Sequence, residues 1–169
     1  AAESVEVHVA SLKGPTSIGL VRFMDQAASG ETDNEFDFAI SAAADEIVPK
    51  VIQGDVDIAL VPANVASVLY NKTEGAVQVI DINTLGVLYI VENGDTVNSV
   101  GDLKGQTIVT TGKGATPEYV LRYVLSENGI DPDKDVTLEY TSEATEALSK
   151  VQAGEANIAM LPQPFVTSA

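Results

Sequence analysis

Short runs of alternating apolar and polar residues punctuate the chain, and between them apolar residues recur at helical spacing. Val5, Val7 and Val9 alternate with Glu6 and His8, and Phe36, Phe38 and Ile40 keep the same period of two up to Ser41. That period marks half-buried strands, because successive strand side chains point to opposite faces. The pattern predicts strands near Val5–Ala10, Phe36–Ser41 and Ile58–Val61, with helices near Ser17–Ala28 and Ala44–Gln53. Farther on it predicts strands near Thr107–Thr110, Val136–Tyr140 and Ile158–Leu161, with helices near Pro117–Asn128 and Glu143–Ala153. Strands that alternate with helices imply right-handed crossovers and a parallel sheet.

The two sets of elements are one unit written twice. Residues 5–68 align with residues 105–168 at a constant offset of 100, without a gap. Val9, Ser11, Lys13, Gly14, Thr16 and Arg22 face Val109, Thr111, Lys113, Gly114, Thr116 and Arg122. Glu46, Lys50, Gly54, Ile58 and Pro62 recur as Glu146, Lys150, Gly154, Ile158 and Pro162. Residues 69–104 belong to the first copy alone, and there the pattern predicts a helix end at Leu69–Lys72, a strand at Val77–Ile82 and a crossover around 85–94. The expected organisation is a first lobe over 1–84, a hinge over 85–94 and a second lobe over 95–169. The fold class is α/β, with two similar lobes built on mainly parallel sheets. Copy two stops at the equivalent of Leu69, so the second lobe is expected to be incomplete, which would leave an edge open to a second copy of the chain as a homodimer.

Composition removes several function classes. The chain has 169 residues, 9 basic against 25 acidic, for a net charge of −16. Such a field repels phosphate backbones and anionic headgroups, so nucleic acid is not an expected partner. With no cysteine and His8 as the single histidine, a zinc cluster or a nucleophile–histidine mechanism has little to build on. Neither a metal, a cofactor nor a catalytic residue is expected. The run Asp131-Pro132-Asp133-Lys134-Asp135 lacks the glycine and glutamate spacing of a calcium loop and reads as a solvated turn. No apolar stretch approaches the roughly 20 residues of a membrane span.

The candidate chemistry lies in the loops. Ligands of open parallel sheets sit beyond the carboxyl ends of the strands. The repeat places three such loops in each copy, which would rim one cleft if the copies face each other. The KGxT loops join a lysine charge, a glycine that admits close backbone approach and a threonine near a helix start, a combination suited to a small oxyanion. The candidate ligand residues of copy one are Lys13, Gly14, Thr16, Ser41, Ala42, Pro62 and Asn64. Those of copy two are Thr111, Gly112, Gly114, Thr116, Thr141 and Gln163. The same hydroxyls also fit ordinary helix caps, and the lysines fit solvated charges.

Three runs carry a resemblance. They are Leu103-Lys104-Gly105-Gln106-Thr107-Ile108, Val124-Leu125-Ser126-Glu127-Asn128-Gly129-Ile130-Asp131-Pro132, and the pairing of Ala153-Gly154-Glu155-Ala156-Asn157-Ile158-Ala159 with Leu161-Pro162-Gln163-Pro164-Phe165. Together they make the chain resemble the type II periplasmic solute-binding proteins of ABC importers, specifically the nitrate, sulfonate, taurine and thiamine-precursor group. The resemblance implies an extracytoplasmic protein, periplasmic or lipid-anchored at a cell surface, that closes two lobes over a small polar or anionic solute and presents it to membrane permease subunits. It also implies a longer chain that returns to its first lobe. The family's frequent Glu-Pro at the last loop is Gln163-Pro164 here. Two other classes fit the same architecture: a small-molecule enzyme and the effector-binding domain of a transcription regulator.

Overall fold

The computed structural model describes residues 3–169. The chain divides into two compact units that meet in sequence at Leu85 and Gly86. Unit 1 runs β1 (Glu6–Leu12), α1 (Pro15–Ile18), α2 (Val21–Ala28), β2 (Glu35–Ser41), α3 (Ala44–Gln53), β3 (Ile58–Ala59) and α4 (Ala63–Lys72). Its three strands are parallel in the order β2-β1-β3.

The period of two sorts the faces of this sheet. Val7 and Val9 of β1 stand in register with Phe36 and Phe38 of β2. Phe23 of α2 packs edge-on against both rings, with centroids 4.7 Å and 5.7 Å away. Such edge-to-face contacts suit the ring quadrupoles. His8 alternates to the opposite face, as its place among the valines predicts. There its Nδ1 lies 3.7 Å from Asp37 Oδ2, in an exposed pair worth little. Ile47 of α3 and Leu69 of α4 complete the buried set with Val9, Ala10 and Val65.

Unit 2 runs β4 (Leu88–Glu92), a 3-10 turn (Val100–Leu103), β5 (Thr107–Thr110), α5 (Thr116–Glu127), β6 (Thr137–Tyr140), α6 (Ala144–Gln152), β7 (Ile158–Pro162) and α7 (Phe165–Ser168). The sheet order is β4-β7-β5-β6, parallel except for β4, which pairs antiparallel with β7. Its central strands are apolar on both faces, as parallel strands covered by helices must be. Ile108, Ile158 and Met160 join Leu103, Leu121, Leu125 and Ile130 in one core cluster. Their strand neighbours Val109, Ala159 and Leu161 join Ala147, Val151 and Ala156 in another. The sheet thus separates two cores, and alternation along β5 and β7 assigns each residue to its side.

Two expectations need correction. The strand expected at Val77–Ile82 does not form, and Val79, Ile80 and Ile82 are 69%, 81% and 70% exposed. Alternation alone does not make a strand: the amides of Ala76 and Val77 bond back to Thr73 and that of Ile82 to Asp81, so none joins a ladder. The helix expected over Ser17–Ala28 is broken into α1 and α2. At the break Leu20 N–H donates to Ser17 O, a tighter three-residue turn beside Gly19, the poorest helix former after proline. Within the stretch expected as the hinge, 85–94, lies β4, whose ladder with β7 belongs to the unit 2 sheet.

Candidate functional site

In both units the strand order reverses at one strand's carboxyl end. From β1 the chain crosses to β2 on one side and then to β3 on the other. The same reversal recurs from β5 to β6 and then β7. Loops leaving adjacent strands in opposite directions open a gap at such a switch point, with backbone amides facing it.

Unit 1 brings all its candidate residues to this edge. Leu12 is in register with Ser41, and Lys13 N–H donates to Ser41 O at 3.0 Å, which ties the first loop to the second. Gly14 has φ 104°, in the range that favours glycine, and begins α1, with Pro15 and Thr16 in its first turn. Beneath them Ser17 Oγ donates to Leu12 O at 2.5 Å and bonds Ser11 Oγ. Ser11 and Ser17 are both buried, so this pair pins the loop from below. Ser41 is itself buried, and Ala42 N–H donates to Glu46 Oε2 at 3.3 Å. Pro62 caps α4, with Asn64 in its first turn.

Unit 2 repeats the plan with ties of its own. Thr141 N–H donates to Thr110 O at 2.9 Å, and its buried hydroxyl shares its one hydrogen between Glu143 O at 3.1 Å and Thr110 O at 3.4 Å. Its hydroxyl therefore braces the loop. Gln163 N–H donates to Val87 O at 3.2 Å, and its Oε1 accepts from Thr167 Oγ1 at 2.9 Å. Thr111 leaves β5 and leads into Gly112, which has φ 68°. A Cβ there would lie 2.8 Å from the Pro117 ring, so the turn requires glycine twice over. Gly114, at φ 74°, and Thr116 complete the loop into α5.

Glu118 and Arg122, outside the candidate ligand set, organise this second loop. Glu118 Oε2 accepts from Gly114 N–H at 2.7 Å, and its Oε1 accepts from Arg122 Nε at 2.9 Å. Arg122 Nη1 then donates to Asp133 Oδ1 at 2.8 Å. The Gly114 amide first, and the Arg122 guanidinium with it, hold the Glu118 carboxyl below its ordinary range. Asp133 and Glu118 together hold Arg122 charged. Lys113 Nζ stands 5.6 Å from the centre of the Tyr140 ring, within cation–π range. The Tyr140 hydroxyl is buried, and burial first, with the Glu118 carboxylate beside it, pushes its phenol up. The legible signal for Glu118 was its place three residues into a helix, shared by Glu46 and Glu146.

A separate groove in unit 1 is lined by His8, Asp37, Lys50 and Asp55 and holds none of the candidate ligand residues. Among the described residues no cluster of histidine and carboxylates has metal-binding geometry. No helix among them is long and apolar enough to cross a membrane.

Solved structures share this fold. The alkanesulfonate-binding protein of Xanthomonas axonopodis pv. citri, bound to MOPS, superposes with TM-score 0.65 at 20% identity over 98% of this chain and 57% of that one. An ABC transporter structure from Parabacteroides distasonis gives 0.67 at 25% identity over 98% and 55%. A binding protein component of an ABC phosphonate transporter from Pseudomonas aeruginosa gives 0.67 at 15% identity over 98% and 60%. The chain therefore spans little more than half the length of these proteins. No curated protein matches its sequence. Residues 24–169 match the model of a transport family rather than an enzyme family, described as ABC transporter, phosphonate, periplasmic substrate-binding protein, and the chain belongs to that family.

Proposed function

We propose that the chain carries ligand-contacting loops of the periplasmic substrate-binding component of an ABC importer, and that its solute is a small anion of the phosphonate or sulfonate kind. The family match over residues 24–169 supports the importer reading. The observation that carries the site is the repeated switch point. The carboxyl edges of β1 and β5 each bear a Lys-Gly-x-Thr loop, in units that share one topology. Each unit acts as one lobe, and residues of both, Lys13, Ser41 and Asn64 with Thr111, Thr141 and Gln163, contact the solute. Membrane permease subunits are the protein partner. The reading as a binder and not a catalyst is supported by the family and by a sequence with one histidine and no cysteine.

Isothermal titration with alkylphosphonates and alkanesulfonates tests this. One of the two series is expected to give saturable heat, with the solute recovered unchanged. Heat from neither series, or chemical conversion of the solute, would overturn it.

A homodimer is a second reading, favoured by one observation. Val79, Ile80, Ile82 and Leu85 form a run of 69–81% exposed apolar side chains in unit 1. A second copy would cover it, because exposed apolar stretches of this kind mark association surfaces.

A further inference from the structure

The basic residues of unit 2 are Lys104, Lys113, Arg122, Lys134 and Lys150. All but one are bound to carboxylates. Lys104 pairs with Asp135, Lys134 with Asp131 and Lys150 with Glu139, while Arg122 reaches both Glu118 and Asp133. Lys113 is the exception, for among the described residues no carboxylate pairs with it. A chain with 25 acidic residues has carboxylates to spare, so this cation is left open by its placement and not by a shortage of partners. Its ammonium stands instead 5.6 Å from the centre of the Tyr140 ring. An aromatic face attracts a cation through its quadrupole, which leaves the positive charge uncancelled. Two constraints place the ring. Tyr140 ends β6 in register with Thr110, and its buried hydroxyl lies beside the Glu118 carboxylate that Arg122 holds. Burial and Glu118 both oppose ionisation of the phenol, so the ring stays neutral beneath the ammonium. Lys113 and Tyr140 thus meet at the carboxyl ends of β5 and β6, next in the chain to Gly112 and Thr141. The counterpart of Tyr140 at the offset of 100 is Ile40, so this ring belongs to the second copy alone.

We propose that Lys113 is the unit 2 residue that meets the anionic group of the solute, and that Tyr140 is a positioning residue that holds the ammonium in place without neutralising it. A free lysine side chain samples many rotamers. Confining it beforehand reduces the entropy lost when an oxyanion arrives. The inference rests on the reading of the carboxyl strand edges as solute-facing.

NMR of the whole chain tests it, with inorganic phosphate as the probe. Before phosphate is added, the Lys113 ε-methylene is expected upfield of an ordinary lysine's, because an aromatic ring shields protons above its face. On titration it is expected to shift in a saturable way. Lys113→Gln, followed at the Thr141 amide, is expected to weaken phosphate binding at least about tenfold, the loss of a hydrogen bond to a charged group. Tyr140→Leu is expected to weaken it about two- to fivefold, the worth of an exposed cation–π contact, and Tyr140→Phe, which keeps the ring, to stay within about twofold. In the Lys113→Gln background Tyr140→Leu is expected to cost nothing further, whereas a tyrosine that only supports the fold would cost as much in either background. Lys113 is exposed, so its variant and the wild-type ring shift decide the matter even if Tyr140→Leu does not fold. An unshifted ε-methylene, a wild type that takes no phosphate at this loop, an unchanged affinity in Lys113→Gln, or an equal cost of Tyr140→Leu in both backgrounds would overturn the proposal. Phosphate belongs to neither solute series, so saturable shifts at Lys113 support the proposal even where phosphonates and sulfonates give no heat. Capture of a phosphonate or sulfonate with Lys113 unmoved overturns it and leaves the importer reading standing.

Discussion

Glu118 and Gly114 are joined by a 2.7 Å hydrogen bond that closes the unit 2 glycine loop onto the first turn of its own helix. The bond carries a consequence for acid stability. The Gly114 amide, and after it Arg122, favour the ionised form of Glu118 in the folded protein. A carboxyl whose folded pKa lies below its unfolded one stabilises the fold above its ordinary range. That contribution is lost as pH falls through the lowered folded value. Hydrogen bonds lower Glu92, Asp102, Asp131 and Asp135 of the same unit as well. The melting temperature is therefore expected to drop as pH is taken below the ordinary carboxylate range, and Glu118→Gln to flatten that drop. Thermal melts from neutral to acid pH check this, and an equally steep fall in the variant would contradict it.

Gly112→Ala tests the turn. The left-handed backbone and the Pro117 ring 2.8 Å from an added Cβ both oppose the substitution. A loss of about 1–3 kcal/mol is expected in denaturant unfolding, the usual cost of a strained backbone position.

Leu121→Ala tests the core. Leu121 is fully buried among Leu103, Ile108, Leu125 and Met160, where the cavity left behind cannot readily collapse. A loss of about 2–5 kcal/mol is expected.

The homodimer reading makes its own demand on the 79–85 run. Light scattering of the wild type is expected to give twice the chain mass, and Ile80→Asp with Ile82→Asp to return it to the monomer. A monomeric wild type at high concentration would dispose of the reading.

The duplication was legible because it is carried by many positions at one offset, and the parallel sheets follow from the strand–helix alternation that both copies share. Elements that depend on neighbours were not. Val77, Val79 and Ile82 look like a strand, but a strand is made by its partner's hydrogen bonds, and this segment has none. Leu88–Glu92 joins a sheet because β7, distant in sequence, offers an edge to it. Gly19 hid inside an apparently continuous helical pattern and let α1 end at Ile18. At the site, the KGxT loops were visible as motifs. The bond that closes the second loop was not, because a glutamate in a helix's first turn reads as ordinary dipole compensation until its oxygen is seen on Gly114.

The central claim is that solute is read at the carboxyl ends of the strands in both units. Amide NMR during titration with an alkylphosphonate or alkanesulfonate that binds tests it most directly. The expected result is saturable shifts at Thr16, Ala42 and Asn64 and at Thr111, Thr141 and Gln163, with Glu6, Glu35, Thr107 and Thr137 at the opposite strand ends unmoved. Shifts confined to the groove of His8, Asp37 and Lys50, or to one unit alone, would contradict it.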